Sequence, residues 1–412
     1  MTATITEILG ILREHGISPE DYEPPTDLPS VVGRGHPDVG EIEDRETVYA
    51  TSVGEVFRPE EYEAENGIDM DDDRIREWWD GIQRIRTDEL SRQEVLSKNL
   101  AIRTSEPPEP HCAWYCPIHF FGHGWGIYIR ENCILSHATQ IAKFVDWRLV
   151  HASPASIAQQ LLRSAFYLFF LHEQFHHKVE SLGFRLLIST GVDRYRPYKA
   201  NVYRTTYLTA ECLEESLANA ESYRRLKEER YLRRIRSPIR DGVKRYLYAT
   251  MPMQPPGYAE GVRYFTDTAY REGLYKLQSQ SLEGRLSPAM PLSNWSIAPN
   301  MITALTDITD NIYVVIPKGA RPIFHPTSID PGATVSTSAL ATALTKHYGY
   351  QNVPGGKGSH VKLKKPGAQT IILPGNRPVL SPGVVKNALA ALGGHPISRL
   401  PDLLDGRLRA QP

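Results

Sequence analysis

Leu171-His172-Glu173-Gln174-Phe175-His176 is the stretch on which the reading of this chain turns. On a helix, residues four apart stand one above the other, so His172 and His176 can hold one metal ion between their imidazoles. Glu173 then lies where it can take a proton from a water that the metal activates. The flanking residues predict a helix. Ser153-Pro154 supplies a cap followed by a first-turn proline, and the apolar run Ala165–Leu171 leads into the motif, so one helix is expected from there to about Leu187. A second long helix is expected from near Thr209, carrying Glu211, Glu214, Glu215, Ala218 and Asn219 before it becomes strongly charged.

A catalytic zinc site needs three protein ligands and an open position. Glu215-Ser216-Leu217-Ala218-Asn219 resembles the glutamate segment of the gluzincin metallopeptidases, the thermolysin-like branch of the zincins. That resemblance implies a Zn2+ site with His172, His176 and Glu215 as metal ligands, Glu173 as general base and Asn219 behind a ligand histidine. It also implies a substrate strand beside the metal, for which Gly124–Ile129 is the expected exposed edge, and a late oxyanion donor for which Tyr258, Tyr264 and Tyr270 are eligible. A small residue at Ala218 suits close approach of the two helices, and Asn219 lies one turn from Glu215, in reach of an imidazole.

Other readings compete. His172 and His176 can be polar residues of a core helix. A di-iron bundle would use Glu173 and His176 as a Glu-x-x-His, but the second such motif is missing. His177 is turned about 100 degrees from His176 and is expected at the surface or behind the site. Glu180 returns to the face of Glu173 and His176, either to orient a ligand or to pair with a lysine. Cys112, Cys116, His119 and His123 suggest a further zinc site, but on a strand Cys112 and Cys116 lie about 13 Å apart, too far to share an ion.

The 412 residues, 41% hydrophobic and 23% charged, are enough for two or three domains. Residues 1–16 read as an amphipathic helix and not a signal peptide, and Ala165–Leu171 is far short of the roughly 18 apolar residues of a membrane span. Four cysteines do not read as a disulfide framework, which points to a reducing cytoplasm and no membrane. Asp71 and Asp73 lack the glycine and later glutamate of a calcium loop. Asp73 to Asn99 is expected to be helical, and Trp114 to Ile129 to form two strands around a turn at Gly122 to Gly126. The bases between Arg224 and Arg245 alternate with acids and read as a solvated face.

The net charge of −1 conceals a division: residues 331–400 hold eight Lys or Arg and no Asp or Glu, which leaves −9 on residues 1–330. A basic module of this kind is expected to meet an anion, most often nucleic acid. It reads as helix (338–348), three strands (350–354, 360–365, 369–374) and helix (382–392). His360-Val361-Lys362-Leu363-Lys364-Lys365 alternates apolar with basic residues, so one face collects charge that suits phosphate.

Gly358-Ser359-His360-Val361-Lys362-Leu363, with Ile372-Leu373-Pro374 and Leu380-Ser381-Pro382-Gly383-Val384-Val385, resembles the HicA toxins, small mRNA interferases with a fold like the double-stranded-RNA-binding domain. The resemblance implies that His360 matches their catalytic histidine and that RNA is the partner of residues 336–400. Pro374-Gly375-Asn376-Arg377 lacks their usual second histidine, so RNA binding without cleavage stands beside an active ribonuclease, with a docking domain that meets no nucleic acid as a third reading.

The expected architecture is therefore α+β. It comprises an acidic region 1–100, a zincin-like metallopeptidase domain 101–275, a Pro/Ser-rich connector 276–335 holding one strand, and a HicA-like α-β-β-β-α domain 336–400. The expected function is zinc-dependent hydrolysis of a protein or peptide substrate, joined to RNA binding or cleavage, as in a toxin or phage-defence effector. The alternative is an mRNA interferase toxin that uses His360 and has a regulatory or structural metal domain.

Overall fold

The computed structural model describes residues 3–19, 40, 42–43, 45–51, 70, 72–87, 112–226, 235–288, 302–308, 311–320, 322–323, 335–353, 360–375, 380, 382–393, 395 and 399–408. The rest of the helix expected to reach Asn99, the Asp71 position, the Gly358-Ser359 and Asn376-Arg377 pairs, and much of the connector lie outside these residues.

The chain is α+β. Helix α1 (Ile5–Glu14) opens with a capping box between Thr4 and Glu7 and buries Ile8, Leu9 and Leu12. Strand β1 (Glu46–Thr51) and helix α2 (Asp73–Thr87) follow, and α2 buries Ile75, Trp79 and Ile82. Strands β2 (Ala113–Cys116) and β3 (Gly126–Arg130) form the expected antiparallel pair, Ala113 opposite Ile129. The first strand stops at Cys116, because Pro117 has no N–H for a ladder and instead caps a one-turn helix, Ile118–Phe121.

Helix α3 (Glu131–Ala142) leads to α4 (Pro154–Thr190), which starts as expected, with Ser153 Oγ accepting from the Ser156 amide, and stops at Gly191 in the left-handed conformation. Its stretch Ala165–Leu171 is apolar on every side and lies in the core with Leu161, where Leu161, Phe166, Phe170 and Leu171 each contribute about 1.5–3 kcal/mol relative to exposure. Helix α5 (Leu213–Arg225) begins four residues later than expected, because turns with Thr209 N–H on Thr206 O and Cys212 N–H on Thr209 O precede it, and Glu211 is left exposed. Helices α6 (Ser237–Thr250) and α7 (Asp267–Glu283) complete the helical layer.

Strand β4 (Ile312–Pro317) requires a correction to the expected division. The sheet order is β1-β4-β3-β2, with β4 parallel to β3 and antiparallel to β1. The strand assigned to a connector over 276–335 is thus an interior strand, buried on both faces as its run of Ile312 to Ile316 allows. Helix α7 crosses the expected boundary at 275 and packs on α5, where Tyr270 donates to Glu221. Residues 1–100 are not separate either, since β1 closes the sheet and the Ala3 amide donates to Leu305 O. Gly126, at φ 146, lets β4 come close: a Cβ there would clash with Asn311 O.

The expected edge, Gly124–Ile129, is also corrected. Strand β3 is interior, and Ile127, Tyr128 and Ile129 are buried because both flanks carry a partner strand. Among the described residues the edge strands of this sheet are β1 and β2, and β2, itself buried at Trp114, Tyr115 and Cys116, is the one that packs against α4. A disulfide joins Cys112 to Cys133, 21 residues apart, because the β2–β3 hairpin returns the chain and the Arg130 amide reaches Cys112 O. Cys116 and Cys212 remain free thiols, so there is no disulfide framework among the described residues, but the one bridge removes the argument from cysteine usage to a reducing compartment. Among the described residues no helix is long and apolar enough to cross a membrane.

Residues 335–408 follow the expected order, with α8 (Thr337–Tyr348), β5 (Gln351–Asn352), β6 (His360–Lys364), β7 (Ile371–Pro374) and α9 (Pro382–Ala391). The strands form an antiparallel sheet in chain order, with Lys362 opposite Ile372. Leu363, Ile371 and Leu373 are buried while His360, Lys364 and Ile372 are exposed, which is the alternation the sequence predicts. A further short helix, α10 (Leu400–Leu404), docks on α8 through the Tyr348 hydroxyl, which donates to Leu403 O.

Candidate metal centre

Helix α4 presents His172 and His176 one turn apart, and α5 crosses it with Glu214, Glu215 and Asn219 facing them. The helices approach closely because Ala218 is fully buried at the crossing and Ser222 Oγ donates to Leu168 O. His172 Nε2 lies 3.3 Å from His176 Nε2 and 3.0 Å from Glu215 Oε2, and His176 Nε2 lies 3.6 Å from Glu215 Oε1. A tetrahedral zinc with ligands at about 2.1 Å spaces its ligand atoms about 3.4 Å apart, so the three side chains fit one ion. Among the described residues this is the one such group of His, Cys, Asp or Glu.

The far side of each imidazole fixes which nitrogen faces inward. His172 Nδ1 donates to Asn219 Oδ1 at 2.9 Å, and Asn219 Nδ2 donates to Gln254 Oε1 and Tyr258 O, so the amide cannot usefully flip. His176 Nδ1 donates to Glu214 Oε1 at 2.7 Å, and the Tyr198 hydroxyl donates to Glu214 Oε2. Both Nε2 atoms are left to point at Glu215, whose other supporter is the Tyr203 hydroxyl. Burial opposes charge on His176, but the carboxylates of Glu215, Glu214 and Glu173 outweigh it and raise its pKa to about 9. Burial likewise opposes ionisation of Glu215, yet His176, His172 and Tyr203 hold its carboxyl down at about 2. The cluster thus favours positive charge at its centre, carried by a proton on His176 or, in its place, by a bound cation.

A small, partly open cleft lies on this cluster. Glu173, His172, His176 and Glu215 form its floor, Ala113, Trp114, Tyr115 and Pro117 one wall, and Lys199, Tyr203, Tyr207 and Tyr258 the other. Of the three eligible tyrosines, Tyr258 alone lies here, stacked on His172 with centroids 5.7 Å apart. Burial first, then Glu215, Tyr207 and Glu173, push its phenol well above the usual range, so it remains a protonated donor. Tyr270 is spent on Glu221, and Tyr264 packs over Gly273.

Several partners escape the sequence. Glu214 stands beside Glu215 with nothing to distinguish their roles until the helices cross. Lys199 and Tyr203 come from a π-helical stretch, Lys199–Tyr203, a geometry with no sequence signature that recurs at functional sites. Lys199 Nζ lies 3.1 Å from the Tyr203 ring centroid and 3.9 Å from Glu214 Oε1.

His177 is not at the surface: it is buried, stacked with Trp125, with Nε2 donating to Thr306 O. Glu180 neither orients a ligand nor pairs with a lysine; His119 and Tyr115 donate to it. Cys112, Cys116 and His119 form no zinc site, since Cys112 is in the disulfide, Cys116 is a buried thiol and His119 is bound to Glu180. In the basic module, His360 and Lys364 are exposed and Lys362 half-buried on the outward face of β6. No protein-family model, no curated protein and no solved structure matches the chain.

Proposed function

We propose that the chain is a zinc-dependent peptidase of the zincin kind, joined to a HicA-like module that acts on RNA. The observation that carries the reading is the convergence of His172 Nε2, His176 Nε2 and Glu215 on one point while both Nδ1 atoms are tied behind. Bound zinc supplies a Lewis acid at the floor of the cleft. Glu173, next to a ligand on the same floor, accepts the proton of the attacking water and returns it to the leaving amine. The Tyr258 hydroxyl is the donor for the oxyanion, which replaces the open choice among three tyrosines. A peptide backbone pairs with β2, the edge strand that lines the cleft, using main-chain hydrogen bonds common to every peptide.

Glu173→Gln tests the reading: peptide cleavage falls about 10³-fold while zinc stays near one per chain. A wild-type protein without zinc contradicts it. The second reading is an mRNA interferase with a structural metal domain, favoured by the exposure of His360 on the same face as Lys364. If His360→Ala abolishes RNA degradation or cellular toxicity and Glu173→Gln does not, this second reading replaces the first. A toxin or phage-defence effector suits either outcome.

A further inference from the structure

A second polar cluster lies beside the cleft, one turn further along α4 from the metal candidates, and shares Tyr115 with the cleft wall. Glu180 sits on α4 one turn beyond His176 and is fully buried. Its Oε1 accepts from both the backbone N–H and Nδ1 of His119, at 2.8 and 2.6 Å, and its Oε2 accepts from the Tyr115 hydroxyl. The same hydroxyl lies 2.8 Å from Nδ1 of His177, the residue next to His176. Tyr115 belongs to β2, and His119 follows Pro117 in the next turn, so one carboxylate holds the chain on both sides of the cleft wall.

Burying a carboxylate costs several kcal/mol unless donors replace its water, and here three do. An apolar pair would pack β2 on α4 at less cost, but it would let the strand slide. Charge-assisted hydrogen bonds from positions 115 and 119 do not. Because α4 is one continuous helix, a strand fixed to Glu180 is fixed at a set distance from the nitrogens of His172 and His176. Positioning within about 0.5 Å is what a site needs when its metal and its substrate strand come from different elements.

We infer that Glu180, with Tyr115, is a positioning residue that locks the cleft-lining edge strand β2 in register with the metal ligands, so that a peptide paired with β2 presents its scissile carbonyl at the metal. This rests on the peptidase reading. It is tested by the affinity of zinc-loaded protein for two hydroxamates: acetohydroxamate, which reaches only the metal, and an N-blocked tetrapeptide hydroxamate, which also lies along the strand. Zinc affinity is titrated in parallel.

In Tyr115→Phe, and in Glu180→Gln where it folds, the tetrapeptide compound is expected to bind about tenfold more weakly. Acetohydroxamate and zinc are expected to bind within about twofold of wild type, since no metal ligand or its supporter is touched. Equal weakening of both hydroxamates, or none, overturns the inference. A wild-type protein that takes up zinc but binds both compounds alike overturns it while leaving the metal centre standing. A wild-type protein that takes up no zinc removes the peptidase reading, and this inference with it.

Discussion

The two histidine-bearing regions of the molecule are built on opposite terms. His172 and His176 are enclosed between α4 and α5, each ring tied behind by Asn219 or Glu214, and those supporters are held in turn by Gln254 and Tyr198. His360 stands exposed at the start of β6, beside lysines on an outward sheet face. The first region fixes its geometry before any ligand arrives and holds charge in a low-dielectric setting where each partner matters. The second offers charge to solvent, where affinity for a polyanion would come from the number of phosphates met and would fall with salt. Substitutions should therefore act steeply and specifically in one region and gently and additively in the other.

The largest effect is expected from removing a ligand. His176→Ala should lower zinc affinity by on the order of 10³-fold, beyond the 10- to 100-fold typical of a supporting partner, as read by competition with a chromogenic chelator. Glu214→Gln should fall within that 10- to 100-fold range, because the amide still accepts from His176 Nδ1 but no longer stabilises its charge. If Glu214→Gln leaves zinc affinity unchanged, the enclosed region is less tightly coupled than its hydrogen bonds indicate.

Acid stability divides the regions next. Glu221 accepts from Lys178 Nζ at 2.7 Å, Arg225 Nε at 2.9 Å and the Tyr270 hydroxyl at 2.8 Å. Burial works against its charge, but Lys178 and Arg225 hold its pKa at about 2. A carboxylate depressed on folding contributes stability above its unfolded pKa of about 4.5 and loses it as pH falls towards about 2, an effect of order 3 kcal/mol here. Urea unfolding between pH 5 and pH 2 should therefore show a steep loss that Glu221→Gln flattens. Residues 331–400 have no Asp or Glu, so the basic module should contribute none of that loss.

The smallest effect is expected on the open face. Lys364→Ala should reduce the dependence of log affinity on log salt for single-stranded RNA by about 0.7, uniformly across sequences and with no change in zinc uptake. A sequence-specific loss would mean that β6 reads bases and not phosphates.

The clustering of His172, His176 and Glu215 was legible in part: a helix repeats its faces every three to four residues, so His172, Glu173 and His176 declare themselves, whereas Glu215 and Asn219 came from the resemblance of their segment to that of the gluzincins. What was not legible came from pairings distant in the chain. Nothing local marks β4 as the partner of β1 and β3, or Cys133 as the partner of Cys112. The apolar run of β3 reads the same at an edge as in an interior, and so an interior strand was expected to be an exposed edge. Glu180 was read along its own helix, whereas its partners come from positions 115 and 119, more than sixty residues earlier. The order of elements in the basic module was legible because its strands are short, local and alternating.

Metal content tests the central claim most directly. Protein purified without added metal, with Glu215→Ala alongside, should carry close to one zinc per chain in the wild type and close to none in the variant. Equal metal in the two, or no zinc in the wild type, would contradict the account.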